Sequence, residues 1–446
     1  MFWLVLAPLI ALATYLADTE VHHGAWLWTL TAITVLLLRA ITVGRLSWFF
    51  IFMAIFFALG CWLKIVVHHI FDYPYIEPTG NFSDSPEEWD DYYLFASTIG
   101  LSLLGARITS NILSGIFPKP TRWLQLSGPV GNGEWLALIL IAGCFYFVNN
   151  QLAFFVTGVD AKITLPFALN APLAFMALIG FAVVTSTFLE RDVVASRTLT
   201  TKAILSLLTV SAIASISMAS RAAIVMQAIP ILLAAAYVTK QITGQRPSLK
   251  SFVYFTLFLV TVLVIVSIYR IQVFSGSSLA NQELVFFFAL ESAMLVVDRW
   301  VGAEALMVAV SEPTRSLTLF TQILAEDAAR GSDAIYQILA GSKYGFLQGL
   351  TFLTLPGYFA VLGLSGSMIA IAAGTFFITL AGIAYESLAR RALFGKTISA
   401  ALISAALANA LTQLSFPRLL IPFIFQMTAL IILLSIIYRS QYRPLK

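Results

Sequence analysis

The chain has 446 residues, of which 59% are hydrophobic and only 11% are charged, against roughly a quarter charged in an ordinary soluble domain. That excess of apolar surface has to be buried in lipid, and it leaves no room for a hidden soluble domain. The net charge of +4 is small, and the two cysteines, Cys61 and Cys144, lie in apolar runs on different predicted helices. They suit small core positions and offer neither a disulfide framework nor a zinc site.

Apolar runs of the roughly 17 to 25 residues needed to cross a hydrocarbon core recur along the whole chain. They predict spans near residues 2–17, 25–43, 46–66, 92–113, 134–157, 165–189, 203–219, 222–239, 251–269, 365–385, 398–414 and 419–438. The fold class expected is therefore all-α, a polytopic integral membrane protein with about twelve transmembrane helices in one transmembrane domain over 1–446. The first run, Phe2 to Ala17, has neither a basic leader nor an A-x-A-like cleavage site, and reads as a retained span rather than a signal peptide.

Basic residues near span ends are retained in the cytoplasm. Alternate connections carry Arg39 and Arg45; Lys119 and Arg122; Arg191, Arg197 and Lys202; Lys240, Arg246 and Lys250; Arg390, Arg391 and Lys396; and Arg439, Arg443 and Lys446. With Arg107 these are most of the 26 basic residues, so both termini are expected inside. The other face carries Glu77, Asp84, Glu87, Glu88, Asp90 and Asp91 and is expected outside.

Two outer segments are too long to be simple turns, 68–91 and 270–363, and long loops with their own helices usually carry function. In the second, Asn281 can cap a helix through Arg299, with Glu291, Leu295, Asp298 and Gly302 spaced to share a face. A further helix is expected after Pro313, ending near Gly331, and a short one from Ser332 to Gly341. The apolar stretch Leu355 to Met368, LPGYFAVLGLSGSM, is broken by Pro356, Gly357, Gly363 and Gly366, which fits a re-entrant piece or an interrupted helix.

Arg221 is the most informative single residue. In Ser217-Met218-Ala219-Ser220-Arg221 it falls where two spans meet with almost no loop, on the face where the orientation rule disfavours a basic residue. It can pair with a loop carboxylate or with lipid headgroups. It can equally serve as a phosphate clamp, because a guanidinium presents a planar donor fork that matches phosphate oxygens.

Arg270 ends a span on the same face and Arg299 follows, so three outward arginines suit a diphosphate. Arg315, Arg330, Lys343 and Arg418 are weaker candidates of the same kind. Glu291, Asp298, Glu304 and Glu77 are the outward acids closest to apolar sequence, and one of them could accept a proton from a sugar hydroxyl. Ser220 is a candidate for substrate binding, as are the aromatics Trp300, Tyr336, Tyr344 and Tyr358, which could stack on sugar rings.

The histidine pairs His22-His23 and His68-His69 lie at outer span ends and read as interfacial; nothing resembles a three-ligand metal spacing. No Walker A segment or dinucleotide fingerprint is present, so ATP-driven transport and nucleotide-sugar chemistry are not expected.

The S-R turn at Ser220-Arg221, Y-R at Tyr269-Arg270, D-R-W-V-G at Asp298 to Gly302, and late P-G-Y-F followed by G-S at Gly366-Ser367 together resemble the oligosaccharide repeat-unit polymerases. These are the Wzy-type O-antigen and enterobacterial-common-antigen polymerases, related in architecture to the O-antigen ligases. The likeness covers about Ser206 to the C-terminus in pattern and the whole chain in topology.

It implies a metal-independent, inverting glycosyltransferase of the GT-C type with no cofactor, in the bacterial inner membrane with its site facing the periplasm. Donor and acceptor would be undecaprenyl-diphosphate-linked oligosaccharides. Arg221 and Arg270 would hold the donor diphosphate, Arg299 would assist or bind the acceptor diphosphate, and, since no histidine follows His69, either Asp298 or Glu304 would stand in for the external-loop histidine of the ligases or no strong base would be needed. A chain-length regulator and membrane lipid are implied partners; nucleic acid is not. A ligase-like transferase, a flippase of lipid-linked glycans and a non-catalytic scaffold are the alternatives.

Overall fold

The structure, a computed structural model of the full chain, describes residues 2–21, 24–44, 46–113, 123–125, 128–156, 162–166, 169–244, 249–275, 300–341, 353–439 and 442–444. In chain order the helices are α1 (Phe2–Val21), α2 (Gly24–Ile41), α3 (Trp48–Phe71), α4 (Pro86–Leu113), α5 (Asn132–Leu152), α6 (Asn170–Ser196), α7 (Thr201–Ser217) and α8 (Arg221–Thr243). They continue as α9 (Leu249–Ser275), α10 (Ala303–Ser311), α11 (Leu317–Ala325), α12 (Ile335–Ala340), α13 (Gly357–Gly363), α14 (Met368–Ala392), α15 (Thr397–Thr412) and α16 (Leu420–Tyr438). Two short strands, β1 (Trp123–Gln125) and β2 (Tyr442–Pro444), pair antiparallel.

Among the described residues, seven helical segments are long and apolar enough to cross a membrane: α2, α3, α5, α6, α14, Ala222–Thr243 and Pro417–Ile437. Shorter apolar helical stretches lie in α1, α7, α9 and α15. By length and composition the chain is a helical, polytopic membrane protein. Each predicted span overlaps a helix. Many apolar side chains on these helices stay exposed, Leu140, Ile141 and Phe147 on α5 for example, as a lipid-facing surface requires.

The two segments expected outside, 68–91 and 270–363, differ in detail from expectation. α3 runs on to Phe71 and α4 begins at Pro86, so only 72–85 is loop, and the acids Glu87 to Asp91 stand on the first turns of α4. α9 continues past Arg270 to Ser275. The helix expected from Asn281 to Arg299 lies outside the described residues. The next begins at Leu317, where the Ser316 hydroxyl accepts from the Leu319 N–H at 3.2 Å, and it ends at Ala325 before a 3-10 turn at Ala328–Asp333. Ala334, not Ser332, precedes α12. The broken apolar stretch forms the buried helix α13, a turn at Gly366, and then α14.

The chain forms two compact units. The first comprises Met1–Pro118, Ala293–Tyr385 and Leu407–Pro422. Its centre is aromatic, with Phe49, Phe50, Phe57, Trp89, Tyr92 and Tyr93 buried. Here backbones touch: a Cβ on Gly60 would sit 2.5 Å from the Val301 carbonyl oxygen, and one on Gly302 would sit 2.9 Å from the Cys61 sulfur. Gly60 lies in a π-helical turn of α3, Ala58–Leu63.

His68 is buried rather than interfacial. Its Nδ1 lies 2.6 Å from the Tyr73 carbonyl and its ring stacks on Tyr75 at 4.2 Å, because the loop after α3 folds back over it. His69 meets Trp89 edge-on, and His22 and His23 lie outside the described residues.

The second unit comprises Lys119–Ser292, Glu386–Ala406 and Phe423–Lys446. One core patch joins α5, α6, α7 and α8 through Ala142, Tyr146, Ala177, Phe181, Val210, Ala214, Met218 and Ala223. A second joins α7, α8 and α9 through Leu208, Ile224, Ala228, Val262 and Val266. Glu190 on α6 accepts the backbone N–H groups of Thr397, Ile398 (2.8 Å) and Ser399 (3.3 Å), satisfying donors at the start of α15 that the helix cannot satisfy itself. Cys144 on α5 is exposed rather than in a core; Cys61 is buried.

Candidate functional site

In the second unit, α7 ends in a turn stabilised at every step. The Met218 N–H bonds the Ala214 carbonyl (3.0 Å), Ala219 bonds Ile216 (3.1 Å) and Ser220 bonds Ser215 (2.9 Å). Ala219 takes the left-handed conformation, φ +47°, in the position that helix C-termini usually give to glycine. A non-glycine residue there costs roughly 1–2 kcal/mol, so the chain tolerates strain at this turn.

Ser220 is at once the last residue of that turn and the N-cap of α8, with Arg221 as the first helical residue. N-cap serines normally accept a hydrogen bond from the second or third helical N–H. The Ser220 side chain makes no such bond although the residue is only 5% exposed, and the first turn of α8 contains no acidic residue. The positive end of a 23-residue helix is left without a side-chain cap, beside an arginine.

The end of α5 packs on this turn and is in turn met by α9. Asn149, fully buried near the end of α5, donates through Nδ2 to the Ser217 hydroxyl (2.9 Å) and to the Phe155 carbonyl (2.9 Å), and its Oδ1 accepts the Phe155 N–H (3.0 Å). The Ser217 hydroxyl donates in turn to the Tyr146 carbonyl at 2.8 Å. The next residue, Asn150, accepts a hydrogen bond from the Tyr269 hydroxyl of α9 at 3.2 Å. Since Ile224 and Val266 share one core patch, the chain positions of Arg221 and Arg270 fall at the same end of the α8–α9 hairpin.

The opposite end of the same helices carries further basic residues. There Lys240 occupies the last turn of α8, Lys202 donates to the Val130 carbonyl at 2.7 Å, and Arg191 pairs with Glu134 at 2.7 Å.

The other described candidates fall in the first unit. Glu304, in the first turn of α10, is buried in an ion pair with Lys64, whose ammonium also lies 3.4 Å from the Trp300 carbonyl. The Trp300 ring stacks on Phe56 at 5.7 Å. Burial raises the Glu304 carboxyl above the usual range against the opposing pull of Lys64.

Tyr336 is buried with its hydroxyl unpartnered; desolvation, then the nearby Glu304 and Glu77, push its pKa up. Burial also lifts the Tyr358 hydroxyl to about 12. Arg315 lies 3.6 Å from Asp91 and over the Phe95 ring, Arg330 pairs with Glu326 at 3.1 Å, and Arg418 is 3.9 Å from Asp327. Asp298, Arg299, Glu291, Lys343 and Tyr344 lie outside the described residues.

The backbone thus places the chain positions of Ser220, Arg221 and Arg270 at the same end of α8 and α9. The residues that sequence reasoning missed are Asn149 and Asn150: the pair N-N at the end of an apolar run was the available signal. Among the described residues no group of three metal-ligating side chains is found. Comparison of the chain with protein-family models, with curated proteins and with solved structures found no match.

Proposed function

We propose that the protein is a GT-C-like glycosyltransferase with about twelve spans that polymerises lipid-linked oligosaccharides at the outer, periplasmic face of a bacterial inner membrane. The observation that supports this reading most strongly is the uncapped N-terminus of α8. Backbone N–H donors, the Ser220 hydroxyl, which makes no capping bond, and an arginine at the first helical position are groups that suit a phosphate, and the chain position of Arg270 lies at the same end of the α8–α9 hairpin. The basic residues at the other end of these helices favour an outward site.

On this reading the terminal sugar hydroxyl of the acceptor attacks the anomeric carbon of the donor glycan. The new C–O bond forms as the bond from that carbon to the diphosphate oxygen breaks, with inversion. The electron pair leaves with the undecaprenyl diphosphate, and the hydroxyl proton passes to a base or to water. The sequence offers Asp298 or Glu304 as that base, and Glu304 is held in a buried pair with Lys64. Donors aimed at the departing diphosphate stabilise the charge it gains. Trp300, Tyr344 and Tyr358 are retained as sugar-contact candidates, with Glu291, Arg315 and Arg418 as acceptor contacts and a chain-length regulator as partner.

Arg221→Gln and Arg270→Gln test the assignment in purified protein supplied with the undecaprenyl-diphosphate repeat unit. Each is expected to cut polymer formation roughly 100- to 1000-fold, the cost of removing one donor from an electrostatic site. Full activity in both variants would remove the diphosphate clamp from the account.

A further inference from the structure

We infer that the adjacent asparagines Asn149 and Asn150 form a two-armed positioning element that sets the spacing of Arg221 and Arg270, and so makes the site selective for a diphosphate over a monophosphate. The inference rests on the diphosphate reading of the α8 N-terminus.

One arm runs inward. Asn149 is fully buried and divides its amide between the Ser217 hydroxyl and both backbone groups of Phe155, while Ser217 hands its own proton to the Tyr146 carbonyl. A buried polar network satisfied in this way has one low-energy arrangement. It fixes the last residue of α7, four positions before Arg221, and the turn between them is itself pinned by its backbone bonds.

The other arm runs outward. Asn150 accepts from the hydroxyl of Tyr269, the residue immediately before Arg270, at 3.2 Å. Nothing in the core packing of α9 requires that bond: Val262 and Val266 are the buried contacts, and Tyr269 lies beyond them. Consecutive side chains at one helix end thus hold the last residue of α7, four positions before Arg221, and Tyr269, immediately before Arg270. A monophosphate can be satisfied by one arginine and the helix N-terminus. A diphosphate spans two phosphoryl groups and benefits from a second cation at a set distance.

The test is direct binding to the full-length protein in nanodiscs of a polyprenyl diphosphate and of the same polyprenyl monophosphate, read as the ratio of the two dissociation constants. Tyr269→Phe deletes only a hydroxyl and Ser217→Ala only an oxygen. Each is expected to reduce the diphosphate preference roughly 3- to 10-fold, as for loss of one hydrogen bond, while monophosphate affinity stays within about twofold. Asn150→Asp, which keeps the acceptor for Tyr269, is expected to retain the preference, and Asn150→Leu to lose it.

A structural defect would weaken both ligands alike and would overturn the positioning role. An unchanged ratio in Tyr269→Phe and Ser217→Ala, with the preference abolished by Arg221→Gln, would overturn the asparagine inference and leave the diphosphate reading intact. Absence of any preference in the wild type, or its survival in Arg221→Gln, would overturn the diphosphate reading itself.

Discussion

Lys64 of α3 and Glu304 of α10 form an ion pair in which the two side chains are 1% and 4% exposed. The pair closes a site where helix backbones meet at Gly60 and Gly302, so it locks α3 to the chain that emerges after Asp298-Arg299. Lys64→Met would strand a buried carboxylate, and we expect a loss of about 3–5 kcal/mol of stability. Combining it with Glu304→Gln should recover most of that loss. Thermal unfolding of the single and double variants in one detergent checks both expectations; equal destabilisation by the single and double changes would contradict the pairing energetics.

A second ionisable group gives a pH dependence with a definite sign. Lys396, between α14 and α15, is buried, and burial lowers its pKa from 10.5 to about 8, with Glu190 opposing the shift and Arg191 reinforcing it. Between about pH 8 and the ordinary lysine range the folded chain therefore binds fewer protons than the unfolded chain, and stability rises with pH across that window. The unfolding midpoint should climb as pH rises through it, and Lys396→Met should flatten the climb. A midpoint falling over the same interval in the wild type would show that the buried ammonium is not the group in control.

Ser220→Asp separates the helix from its proposed ligand. Aspartate is as good an N-cap as serine and interacts well with a helix N-terminus, so stability should stay within about 1 kcal/mol of wild type. The same carboxylate would occupy the place proposed for a phosphate and repel it, and lipid-diphosphate binding should fall roughly 100-fold. A variant that is as stable as wild type and binds as well would place the anion elsewhere.

Much of the scaffold was legible in the sequence, because apolar run length is the dominant constraint on a chain in lipid. All twelve predicted spans overlap helices. Their ends were less legible: α3 and α4 extend past the apolar windows into residues as polar as His69 and Glu87, where hydrogen bonding and a buried aromatic cluster sustain the helix.

Of the candidate site, the abrupt Ser220-Arg221 junction and its shared end with Arg270 could be read from charge placement. The roles of Asn149 and Ser217 could not, since they depend on α5 and α7 meeting side by side. Nor could the pairing of Glu304, whose partner lies on a distant helix; a carboxylate read in the sequence as an outward candidate base is paired with Lys64.

The most direct test of the central claim uses wild-type protein in proteoliposomes with one synthetic undecaprenyl-diphosphate repeat unit and no added nucleotide. Polymerisation gives a ladder of lipid-linked products, each longer than the last by one unit, with undecaprenyl diphosphate released in step. Passage of the intact lipid across the bilayer with no product of increased length would contradict polymerisation and assign the chain to translocation.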